Sequence, residues 1–299
     1  DGEQLTISGV GDSATITTEV TIDPAANTRL EGLYRSRQMY CTQCEAEGFR
    51  HITFYLDRPD VLAEFSCRIT AEQSSYPVLL SNGNPVARGQ LDGGRHFVEW
   101  HDPFKKPCYL FALVAGKLAV VRDGFTTCSG RDIELAIYVE EKDLDKCDHA
   151  MRSLQASMAW DEKRYGREYD LDLFMIVAVD DFNMGAMENK GLNVFNSKYV
   201  LARPDTATDQ DYQGIEGVIA HEFSHILNGD MRMNVKLMSI LSGLIAVGQL
   251  GRWLIESGFH SGHDSKGGNI LFICIGILYD RYKTRVLFYY GGLTTVMPL

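Results

Sequence analysis

The chain has 299 residues, a formal net charge of -11 and a hydrophobic content of 45%, the composition of a folded chain long enough for one large domain or two ordinary ones. The acidic balance argues against a nucleic-acid partner, which would call for a basic face, and fits a site that attracts amines. Seven scattered cysteines, an odd number, do not make a disulfide framework in a chain this size, so a reducing, cytoplasmic setting is expected.

Asp1-Gly2-Glu3 begins no basic stretch followed by an apolar core, so no secretion signal is expected there. From there to about Gly116 the text is strand-like. Ala14 to Ile22 alternates Thr with apolar residues, and Val61 to Thr70, Pro77 to Leu80, Arg95 to His101 and Tyr109 to Val114 are short β-rich runs separated by turn chemistry. Ser81-Asn82-Gly83-Asn84 reads as a hairpin, because Asn-Gly tolerates the positive φ such a turn needs. The pair Cys41 and Cys44 has no second pair or neighbouring histidine to complete a metal site and reads as structural. This first part, 1–117, is expected to be an all-β, sandwich-like domain.

Beyond it, Asp132 to Glu140 reads as a strand and Lys142 to Tyr165 as a helix. Leu173 to Val179 is a continuous apolar run suited to a buried strand, and Leu192 to Leu201 reads as another. The next helix carries His221-Glu222-Phe223-Ser224-His225, an H-E-x-x-H sequence. Residues four apart share a helix face, so His221 and His225 can offer two imidazoles to one divalent ion. Glu222 would then face the ion's open position as a general base. Thr208 and Asp211 supply an N-cap and a first-turn acid, and Ile215, Val218, Ile219 and Ile226 repeat at helical spacing behind the histidines. Strands followed by a ligand-bearing helix give α+β architecture for the second part, 118–230.

Gly185-Ala186-Met187-Glu188-Asn189 followed by H-E-x-x-H resembles the aminopeptidase N family of zinc exopeptidases over about residues 23–216. Cys41 to Arg50, Trp100 to Ala115 and Asp170 to Pro204 are similar to its bacterial branch. The resemblance implies a β saddle followed by a thermolysin-like zinc-peptidase domain, incomplete on its C-terminal side. It also implies one Zn2+ held by His221 and His225, Glu222 as catalytic base, and peptide substrates with a free N-terminus. Glu188 and Glu45, with Gln43 beside them, would bind the substrate's ammonium, and Gly185, Ala186 and Met187 would complete the substrate-binding set. The family's third ligand, a Glu, would stand at position 244, which is Leu244 here.

From about Gly217 the words instead resemble the HtpX and CAAX-prenyl-protease family of membrane zinc endopeptidases, whose own third-ligand segment has no counterpart in the chain. Glu256, Asp264, Asp280 and His260 are the remaining candidates for a third ligand, and Tyr279, Tyr289 and Tyr290 for an oxyanion-stabilising tyrosine. The part 231–299 is an atypical apolar tail with two candidate membrane segments, 237–255 and 269–279. Three functions stand side by side: a zinc aminopeptidase, an inactive peptide-binding fragment lacking its third ligand, and a membrane zinc endopeptidase.

Overall fold

The computed structural model of the chain describes residues 5–228. Its strands in chain order are β1 (Gly32–Ser36), β2 (Met39–Gln43), β3 (Ala63–Glu72), β4 (Val78–Ser81), β5 (Asn84–Leu91), β6 (Arg95–Lys106), β7 (Leu113–Gly116), β8 (Ala119–Thr126), β9 (Asp132–Val139), β10 (Leu173–Val179), β11 (Ala186–Met187) and β12 (Leu192–Asn196). Two α-helices accompany them, α1 (Asp148–Tyr165) and α2 (Asp209–Asn228). The strands form a four-stranded sheet in the order β1-β2-β7-β4, a three-stranded sheet β3-β6-β5 and a five-stranded sheet β11-β12-β10-β9-β8. The first two are antiparallel throughout. In the third, β10 lies parallel to both β9 and β12, while β8 and β11 close the two edges antiparallel. The result is a mixed α+β fold with a β-rich N-terminal part, as expected.

The five-stranded sheet is covered on both faces, which explains why β10 is written as an unbroken apolar run. Phe174, Ile176 and Ala178 point to one face and pack with α1 and α2 through Leu154, Met158, Ile215, Ile219 and Phe223. Met175, Val177 and Val179, one residue out of phase, point to the other face and share a core with Tyr34, Leu79, Trp100 and Val114 of the two smaller sheets. Successive side chains of a strand alternate between faces, so a central strand buried on both must be apolar at every position. The helical repeat of α2 likewise holds: Ile215, Ile219 and Ile226 are buried, and Val218 is partly so. Thr208 and Asp211 form a reciprocal cap, with the Thr208 amide donating to Asp211 Oδ2 at 2.9 Å and the Asp211 amide donating to Thr208 Oγ1 at 3.3 Å.

Several local expectations are corrected. Ala14 to Ile22 is not a strand: its alternating Ile16, Val20 and Ile22 stay exposed, and no described strand offers it a ladder. Asn82-Gly83 is not a hairpin turn. Gly83 does take φ +83°, but β4 before it and β5 after it belong to different sheets, so the turn carries the chain from one sheet to another. The run from Tyr109 begins in a 3-10 turn, Cys108–Leu110, and the strand starts at Leu113. Leu192 to Leu201 is strand only to Asn196, and a 3-10 turn at Ser197–Tyr199 follows. The helix expected from Lys142 opens as a 3-10 segment, Glu141–Lys146, and becomes α-helical at Asp148. Strands β1, β2, β5, β8 and the two-residue β11, short or lacking a clear apolar alternation, are not expected from the sequence. The six described cysteines, Cys41 and Cys44 among them, are free.

Candidate active site

The site is assembled from α2 and three loops. His221 and His225, one turn apart on α2, bring their Nε2 atoms within 3.0 Å of each other, with the rings nearly perpendicular. Two nitrogens bound about 2.05 Å from a tetrahedral ion would stand roughly 3.3 Å apart, so the pair is close to a chelating geometry. Partial burial and the neighbouring His225 push the His221 imidazole toward its neutral form, against the pull of Glu188, and the neutral form is the one that ligates a metal. Glu222 lies between them in sequence and is buried. Burial first, then Glu188 and Glu45, push its carboxyl up to about 8.

Glu45 stands on the exposed turn after β2, where Gln43 holds it: the Glu45 amide donates to Gln43 Oε1 at 3.2 Å. Gln43 is itself buried, and its Nε2 reaches Met184 Sδ at 2.6 Å, tying this turn to the segment before Gly185. The Glu45 carboxyl is raised by loss of solvent and by Glu188, and lowered by His225. Glu188 follows β11, which runs beside α2. Glu45, Glu188, Glu222 and the two histidines are near enough to perturb one another, so the fold brings together acids that lie up to 177 residues apart in sequence, from position 45 to 222. One region of the fold therefore holds a pair of imidazoles, a buried carboxyl and two further carboxylates, chemistry that can serve a divalent cation, proton transfer and a substrate cation.

Gly185, Ala186 and Met187 behave differently from one another. Met187 is turned into the core shared with the smaller sheets and can meet a ligand only through its backbone. Ala186 and Met187 pair with Phe195 and Val194 on one side only, since β11 ends its sheet among the described strands. Gly185 accepts a hydrogen bond from the Asn196 amide at 2.9 Å. A Cβ added there would meet only the Tyr199 ring, at 3.5 Å, which is ordinary contact. The fold itself does not demand glycine here. Gly185→Ala should therefore leave the urea midpoint almost unchanged and weaken binding of an extended peptide several-fold by calorimetry; an equal affinity would show that no ligand backbone comes close at this point.

Sequence reading missed Tyr109, whose phenol is raised by burial first and then by Glu188 and Glu45. It also missed Met184 and Asn82. None carries a signal in a single sequence: a half-buried Tyr in a 3-10 turn, a Met before Gly and an Asn before Gly all have ordinary local explanations. The expected third-ligand position Leu244, the substitutes Glu256, His260, Asp264 and Asp280, the tyrosines 279, 289 and 290 and both apolar segments of the tail lie outside the described residues. No helix among the described residues is long and apolar enough to cross a membrane.

Residues 2–110 match the Peptidase M1 N-terminal domain, and residues 149–235 match the Peptidase family M1 domain. Over these two segments the chain is similar to the M1 peptidase family. Aminopeptidase N of Escherichia coli (strain K12) is 64% identical over 226 residues, covering 76% of this chain and 26% of that protein. Aminopeptidase N of Haemophilus influenzae is 58% identical over 233 residues, covering 77% and 27%. Among solved structures, Legionella pneumophila aminopeptidase A in complex with aspartic acid superposes with a TM-score of 0.65 at 42% identity, over 67% of this chain and 23% of that one. The chain thus spans about a quarter of the length of the relatives it matches. The resemblance of the segment from Gly217 to HtpX and CAAX proteases is not supported, because the M1 match continues through His221, Glu222 and His225 to residue 235.

Proposed function

We propose that this chain carries the metal-binding and amine-binding parts of a zinc aminopeptidase that releases N-terminal residues from peptides, and that its sheet-and-helix half is thermolysin-like. The observation that carries the reading is the convergence of Glu45 and Glu188, from separate sheets, on the helix that bears His221, Glu222 and His225. Carboxylates beside a cation site have little use in cutting the middle of a chain, where no ammonium is present, and a direct use in holding a free α-amine by charge-assisted hydrogen bonds.

His221 and His225 would hold the ion, which when bound supplies a Lewis acid and an acidified water. Glu222 receives a proton at a carboxylate oxygen and returns it to the departing amine. Glu45 and Glu188 place the substrate's N-terminus, and Tyr109 limits the space beside them. The open edge of β11 accepts an extended peptide as an added strand. Free cysteines throughout the described residues suit a reducing cytoplasm.

The test compares zinc-loaded protein on an aminoacyl reporter and on its N-acetylated form. Hydrolysis of the unblocked reporter alone is expected. Equal hydrolysis of both would remove the amine-binding assignment. Binding of the unblocked form without hydrolysis would favour a peptide-binding role, for which Leu244 at the expected third-ligand position is the specific support.

A further inference from the structure

Glu188 is followed by a segment held far more tightly than a surface loop needs. The side chain of Asn82, buried at the turn after β4, donates from Nδ2 to the carbonyl of Asn189 at 2.6 Å, with the carbonyls of Leu110 and Lys190 at 3.1 and 3.2 Å. Its Oδ1 accepts from the Ala112 amide at 2.7 Å. Lys106, wholly buried and ion-paired with the equally buried Asp102, donates to the same Asn189 carbonyl at 2.9 Å. The Asn189 side chain in turn donates to the Leu110 carbonyl at 3.1 Å. Lys190 is fastened by its ion pair with Asp170 at 2.7 Å and by the Phe104 ring 3.4 Å beneath its ammonium. Gly191, with φ +86°, then passes so near the Asn82 turn that an added Cβ would lie 2.7 Å from the Gly83 nitrogen.

Apart from Asp170, which stands between α1 and β10, these contacts come from the two smaller sheets or the loops between their strands, and together they hold the segment just after Glu188. On its other side Met187 is fixed in β11. Glu188 is therefore suspended between two clamped residues, with only its own side-chain torsions left to vary.

We propose that Asn82 is a positioning residue: by gripping the carbonyls of Asn189 and Lys190 it sets where the Glu188 carboxylate meets a substrate's α-ammonium. This rests on the amine-binding reading given above. A carboxamide offers two donor hydrogens to those carbonyls and a separate oxygen to the Ala112 amide, which a single hydroxyl supplies only in part. Alanine would leave the Ala112 amide and the loop carbonyls short of a partner, and aspartate would set oxygen against oxygen.

The experiment measures dissociation constants, by calorimetry on zinc-loaded protein, for leucine hydroxamic acid and its des-amino counterpart, 4-methylpentanoic hydroxamic acid. The native protein is expected to favour the amine-bearing ligand. In Asn82→Ala that preference should fall about tenfold, the worth of one charge-assisted hydrogen bond, while the des-amino ligand binds as before. Asn82→Ser, which keeps a hydroxyl donor, should lie between. A purely structural Asn82 would lower the folded fraction and leave the ratio of the two constants unmoved. An unchanged ratio in folded Asn82→Ala overturns the proposal, and so does failure of both variants to fold by circular dichroism, which would assign Asn82 to the fold alone. If the native protein itself shows no preference for the amine, it is the amine-binding reading that fails.

Discussion

Replacing Glu222 with glutamine is expected to reduce turnover of an unblocked aminoacyl reporter by about a thousandfold, roughly 4 kcal/mol of barrier. When ionised, Glu222 would be the group of α2 that takes a proton beside the two imidazoles, and an amide of the same shape cannot do so. The fold should not suffer. Glu222 is buried near Glu45 and Glu188, so the change removes one of three mutually repelling acids and leaves the packing as it was. Zinc content by elemental analysis and the melting temperature should therefore match the native protein or exceed it. A variant that keeps more than a tenth of native turnover would assign the base to another residue.

The second large effect is structural. Gly83→Ala is expected to cost more than about 3 kcal/mol of folding free energy, combining the left-handed penalty with a buried clash. At φ +83° an added Cβ would lie 2.1 Å from the His101 carbonyl oxygen and 2.7 Å from the Asp102 Cα, both main-chain atoms of β6 that cannot step aside. Gly94 provides the control: its φ is +71°, yet nothing lies within 4 Å of its Cβ position. Gly94→Ala should accordingly cost only about 1 kcal/mol. Urea unfolding of the two variants separates backbone strain from crowding, and similar midpoints would show that the Asn82-Gly83 turn is not as closely packed as the geometry requires.

The same turn shows where a single sequence stops being informative. Asn-Gly announces a positive φ, and Gly83 has one, because that preference is local. Whether the flanking strands then pair is decided by side chains elsewhere, and β4 and β5 go to different sheets. Helix α2 was legible for the opposite reason: its cap, apolar stripe and histidine pair are all written within about twenty residues and reinforce one another. Strand β10 was legible because burial on both faces leaves no room for polar residues. Ala14 to Ile22 has the alternation of a strand without a partner, and alternation alone does not supply one. At the site, the histidines and Glu222 follow from helical spacing. The convergence of Glu45 and Glu188 on them came from family resemblance, since no local rule links positions that far apart. Tyr109 and Asn82 needed the fold, because their significance lies wholly in long-range contacts.

Strand β11 is only two residues long, and this brevity governs what can join its sheet. Two residues offer too few rungs for another folded protein to graft its own strand, which limits runaway edge-to-edge aggregation at that margin. At the opposite margin β8 is long enough to recruit a neighbour, but it places Arg122 and Asp123 in mid-strand, a charged deterrent of the usual kind. Both ends of the central sheet thus discourage accretion by different means, and the shorter one still leaves a berth for a brief, unfolded visitor.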